Sequence, residues 1–167
     1  MLKSHELLGF MSPALAADIL SFTFESDKPA YRATVAAVAQ AKNVRPVFLE
    51  RQPRDQRHAS MISVLSKPTM DTAAGALLRA WLVKKHEPML TDFMNALGIK
   101  NDRGVVEDLP PAMDDAKLKP AVELLLGKYP HETVSVYLNA FNDLSGAGWA
   151  NLKALLEADS RLQLGAH

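Results

Sequence analysis

The chain has 167 residues, 48% of them hydrophobic and 23% charged, with 19 basic and 19 acidic side chains and no cysteine. This composition suits a single globular domain spanning 1–167, able to bury roughly 70% of its unfolded surface. The lack of cysteine excludes disulfides, thiolate metal sites and cysteine nucleophiles. A formal charge of zero lacks the basic excess typical of nucleic-acid-binding proteins, so nucleic acid is not an expected partner.

The opening stretch MLKSHELLGFMSPALAADIL has no uninterrupted apolar core of signal-peptide length, and Asp18 falls in its most apolar part. No apolar run approaches the ~18 residues of a membrane span. The expectation is a cytoplasmic protein with no membrane partner.

Helical periodicity dominates the chain. Ser12-Pro13 reads as a cap and first-turn proline, followed by Leu15, Ile19 and Phe22 at helical spacing. Lys28-Pro29 opens a second helix with Tyr31, Val35 and Val38 inward. Pro53 opens a third, with Met61, Ile62 and Leu65 inward. Asp71 or Thr72 caps a helix whose stripe is Ala74, Leu77, Leu78, Trp81 and Leu82. Pro88 starts the next, which carries Leu90, Phe93, Met94 and Leu97 and ends at Gly98.

Residues 99–113, IKNDRGVVEDLPPAM, form the one long gap. Asn101-Asp102-Arg103-Gly104 is turn chemistry, and Pro110-Pro111 is a stiff extended pair. A connector crossing between helix pairs is expected here. Leu118, Ala121, Val122, Leu125 and Leu126 then repeat the five-residue stripe. Pro130 separates that helix from one carrying Val134, Tyr137, Leu138 and Phe141, with Glu132 favoured in its first turn. Trp149, Leu152, Leu155 and Leu156 make a last short helix. Val105-Val106 is the only adjacent valine or isoleucine pair, so strands are not expected.

These signals predict an all-α protein of about seven to nine helices, arranged as antiparallel helical hairpins. The hairpins would stack as a compact orthogonal bundle or a short array. A shift of 44 residues superposes 73–98 on 117–142 with all nine stripe positions matched, and Asn95 falls on Asn139 and Ala96 on Ala140. That spacing resembles the ~40–47-residue units of HEAT and armadillo arrays. Any two amphipathic hairpins of equal length would align in the same way.

Motifs that carry chemistry are sparse. His5-Glu6, His86-Glu87 and His131-Glu132 each lack a second histidine four residues after the first, so no metal site is expected. Glu107, Asp108, Asp114 and Asp115 form an acidic cluster without EF-hand order. No glycine-rich phosphate loop and no Gly-x-Ser-x-Gly elbow occurs, so neither a cofactor nor a catalytic residue is assigned.

Arg51, Arg54, Arg57 and His58 form the best basic patch, a candidate anion site or a solvated helix face. Pro53 interrupts the helix between Arg51 and the other three. Trp81, His86, His131 and Tyr137 could line a pocket between helix pairs, with the 99–113 loop as a lid. The leading expectation is a non-catalytic adaptor that binds another protein or itself through a helix face. The alternatives are a small-molecule binder or unfamiliar enzyme using that pocket, and weak anion or nucleic-acid binding through Arg51, Arg54 and Arg57.

Overall fold

The computed structural model describes residues 1–165. Among these it contains ten α-helices, two 3-10 turns and no strand; an isolated bridge joins Asp102 and Val105. The protein is all-α. The helices are α1 (Ser4–Phe10), α2 (Pro13–Ser26), α3 (Lys28–Ala41), α4 (Pro46–Glu50), α5 (Arg54–Leu65), α6 (Asp71–Lys85), α7 (Glu87–Ala96), α8 (Asp115–Lys128), α9 (His131–Leu144) and α10 (Ala150–Ala158). The count exceeds the expected seven to nine because α1 and α4 span only seven and five residues. Elements that short complete too few turns for a 3.6-residue period to stand out.

The helix starts follow local chemistry. Ser12 caps α2 by accepting from the Leu15 amide, and Asp27 caps α3 by accepting from the Ala30 amide. Proline occupies the first turn of α2, α3, α4 and α7. There its missing N–H costs no helical bond. Gly98 follows α7 at φ +71°, a left-handed geometry that glycine adopts without strain. Among the described residues no single helix is long and apolar enough to cross a membrane.

Two compact units divide the chain inside α6: one runs from Leu2 to Trp81, the other covers 82–165 together with Met1. In the first unit α5 is the hub, packing against α1, α2 and α3, while α2 also packs on α3 and α3 on α4. Leu7, Ile19, Val38, Met61 and Leu65 are buried at these contacts. In the second unit α7 packs on α8, α8 on α9, and α9 on α10 and on the turn Ser160–Leu162.

An aromatic ladder fills the second core. Phe93 meets Tyr137 at 5.6 Å and Phe141 at 5.4 Å between ring centroids, and Phe141 meets Trp149 at 5.2 Å. Edge-to-face contacts of this kind add specificity to the burial itself. The connector after α7 is tied down: the Trp149 indole N–H donates to the Pro110 carbonyl at 2.8 Å, and Asn151 Nδ2 donates to the Met113 carbonyl at 2.5 Å.

Candidate functional site

Two features of the first unit stand apart from ordinary packing. The first lies where α2, α3 and α5 meet. Arg57 and His58 precede Met61 by four and three residues, so they share its helical face and point inward with it. Arg57 is 7% exposed and His58 3%. The Tyr31 hydroxyl of α3 shares a 2.9 Å hydrogen bond with His58 Nε2.

Phe24 of α2 is the centre of the cluster. Its ring stands 5.1 Å from Tyr31 and 6.4 Å from His58 between centroids. Three cations surround it: Lys28 Nζ at 4.3 Å, the Arg54 guanidinium at 4.6 Å and that of Arg57 at 5.5 Å. A cation over an aromatic face is attracted by the ring quadrupole.

The electrostatics follow from burial. Desolvation, reinforced by Arg57 and Arg54, lowers the His58 imidazole to about 4, so the ring is neutral near pH 7. Desolvation raises the Tyr31 hydroxyl above its ordinary range against the opposing pull of Arg57 and Arg54, so it stays protonated. Arg54 Nη2 pairs with the exposed Glu25 at 2.9 Å.

The second feature is a groove between α3 and α6, about 650 Å³ in volume and open to solvent. Ala30, Ala33, Ala37 and Ala41 line it from α3, and Ala73 and Ala76 from α6. These are the i, i+3, i+7 and i+11 positions of α3, a stripe of small side chains along one face. Just beyond it, Val44, Val47 and Phe48 are exposed, Phe48 at 58%. The last two belong to α4, which packs on α3.

The residues singled out in the sequence are dispersed. Arg54, Arg57 and His58 come together at Phe24, whereas Arg51 is exposed at the end of α4, cut off from α5 by Pro53. Trp81 is fully buried in α6, in the first unit. His86 stands at the residue before α7 without a side-chain capping bond, and His131 is the exposed first residue of α9. Tyr137 is buried against Phe93 and Phe141, and desolvation raises its hydroxyl well above the usual range. None of Trp81, His86, His131 and Tyr137 lines the α3/α6 groove. Asp114 and Asp115 stand at the cap and first turn of α8. Among the described residues no three His, Asp or Glu side chains gather as a metal site.

Phe24, Lys28 and Tyr31 were not singled out as site residues from the sequence. They come from α2 and α3, while their partners lie on α5, so no local spacing connects them. The phase of α5 was the available signal, since it sets Arg57 and His58 on the Met61 face. The geometry defines a helical protein with a cationic cluster, of which Arg57 is buried and Lys28 and Arg54 are not, and an open small-residue groove. Comparison with protein families, curated proteins and solved structures found no match.

Proposed function

We propose that this protein is a cytoplasmic, non-catalytic interaction module that associates with a second copy of itself through the α3/α6 groove. The observation that carries the reading is a groove floored by alanines that the chain's own elements leave open. Small side chains let a second helix come close, so that backbone and β-carbons share the contact. Val44, Val47 and Phe48 supply what such a groove receives, since exposed clusters of large apolar side chains on soluble proteins mark interaction surfaces. The chain therefore carries both halves of a self-complementary contact, as a two-fold dimer requires. Absence of cysteine agrees with a reducing compartment.

Sedimentation velocity over roughly 1–100 µM protein tests this, because association follows mass action. The wild type should shift from monomer to dimer across that range. Ala37→Glu at the half-buried groove floor and Phe48→Ser at an exposed position should remain monomeric with an unchanged helical circular-dichroism signal. A wild type that stays monomeric throughout overturns the reading. So does a dimer that both variants leave intact.

A further inference from the structure

A buried guanidinium normally has a carboxylate beside it, because an unpaired charge removed from water is strongly unfavourable. Arg57 departs from that rule. Nη1 donates to the Glu50 carbonyl oxygen at 3.1 Å, while Nε is enclosed without a hydrogen-bond partner. Among the described residues no carboxylate stands within ion-pair distance of Arg57. A guanidinium has five N–H donors in a rigid fork; Arg57 also hydrogen-bonds the Tyr31 hydroxyl, and Nε remains as a buried donor still to be satisfied.

Two further cations share its surroundings. Lys28 and Arg54 stand over the same Phe24 ring. Of the three, Arg54 alone has an ion-pair partner among the described residues, the exposed Glu25. Glu50 and Asp55 are close enough for their charges to act on Tyr31 and His58 respectively, but neither pairs with any of the three cations. His58 contributes no charge near pH 7, being neutral. Two positive charges are therefore left without a direct partner beside one aromatic ring. Cation–π attraction offsets part of their mutual repulsion, and a dianion would remove the rest.

We propose that Lys28, Arg54 and Arg57 form a binding site at the Phe24 ring for a phosphate dianion, free or as the phosphoryl group of a small molecule. Arg57 is the fixed donor, held by the Glu50 carbonyl and backed by the Tyr31 ring at 5.8 Å. Arg54 is the movable one. Its pair with Glu25 is solvent-exposed, and such pairs contribute little, so exchanging Glu25 for a phosphate oxygen meets small resistance. Lys28 completes the charge. Arginine suits this role because its fork matches two phosphate oxygens at once. A monocarboxylate would neutralise only one of the two unpaired charges. Arg51 takes no part, since its side chain is solvent-exposed and none of the ring contacts at Phe24 involves it.

The test is an NMR titration of the isotope-labelled full chain with inorganic phosphate, at ionic strength held constant with sodium chloride. The Arg57 Nε–H resonance and the Phe24 ring signals are the readouts. In the wild type both should move and saturate. Arg54→Gln and Lys28→Gln alter exposed or half-exposed side chains, and each should weaken the midpoint about tenfold, the effect of one lost charge-assisted contact. Acetate over the same range should not saturate. An Arg57 Nε–H resonance that does not respond overturns the proposal. So do unchanged midpoints in both variants, or acetate saturating as readily as phosphate. Ala37→Glu should bind phosphate like the wild type, so failure of the self-association reading leaves this result separately readable.

Discussion

His58 spends its hydrogen bond on Tyr31 and keeps its ring out of water, and that has a consequence in acid. An unfolded histidine titrates near 6.5, while burial and the adjacent Arg57 and Arg54 lower His58 to about 4 in the folded protein. As pH falls the unfolded chain therefore takes up the proton first. The His58 contribution to stability is complete above about pH 6.5 and is lost between there and about pH 4. Its full size is on the order of 3 kcal/mol. Urea unfolding across this window should show the wild type weakening as the solution is acidified. His58→Gln, with no titrating group there, should show a visibly flatter dependence. Asp55 opposes the shift without cancelling it. A basic i, i+3, i+6, i+7 spacing was legible in the sequence, but whether it faces water was not. The basic spacing by itself is silent on this; the signal lay in the phase of α5, which sets Arg57 and His58 on the same face as Met61 and Leu65.

At the scale of elements, the connector after α7 shows what short-range chemistry does and does not specify. Its turn residues were readable: Asn101 Oδ1 accepts from the Gly104 amide at 2.9 Å, and Asp102 bridges Val105. Its attachment to α7 was not readable. Gly104 adopts φ +81°, and a Cβ there would stand 2.3 Å from Leu90 Cβ and 2.8 Å from the Leu90 carbonyl carbon and the Thr91 nitrogen. Two of those three atoms are backbone and cannot swing aside. Gly98 has a similar φ of +71° but open space around it. Gly104→Ala should therefore cost about 3 kcal/mol or more, combining left-handed strain with a clash, and Gly98→Ala about 1 kcal/mol from strain alone. Chemical denaturation of the two variants checks the ordering. Similar costs would mean that the approach of Gly104 to α7 contributes little. The stripes of α6 to α9 likewise gave correct buried faces, yet equal stripes do not name their partners. The most extensive packing in the second unit is α7 against α8, followed equally by α9 against α10 and α9 against the Ser160–Leu162 turn.

For the molecule as a whole, charge and surface point the same way. A net charge of zero provides no long-range repulsion between copies. The surfaces proposed to meet are alanine, valine and phenylalanine. Self-association should then be insensitive to salt, with a dimerisation midpoint that moves less than about threefold between 0.05 and 0.5 M sodium chloride. Sedimentation at the two salt concentrations decides. A strong loss of dimer at high salt would assign the contact to charged groups and count against the groove. Phosphate binding at the proposed site should instead weaken with added salt, because chloride screens and competes for Lys28 and Arg54. The amino-acid sequence by itself determined the helical class, the placement of eight of the helices and the buried faces of α3 and of α6 to α9, whereas Leu15 and Phe22 of α2, Ile62 of α5 and Leu155 of α10 are only half-buried. What it determined rests on periods and caps within a few residues of each other. Only the tertiary structure decided that Arg57 enters a core without a carboxylate, that Phe24 gathers three cations, and that alanines of α3 and α6 face one another across an open groove. Each of those arises where helices far apart in sequence meet, and a local period carries no information about which helix will stand opposite.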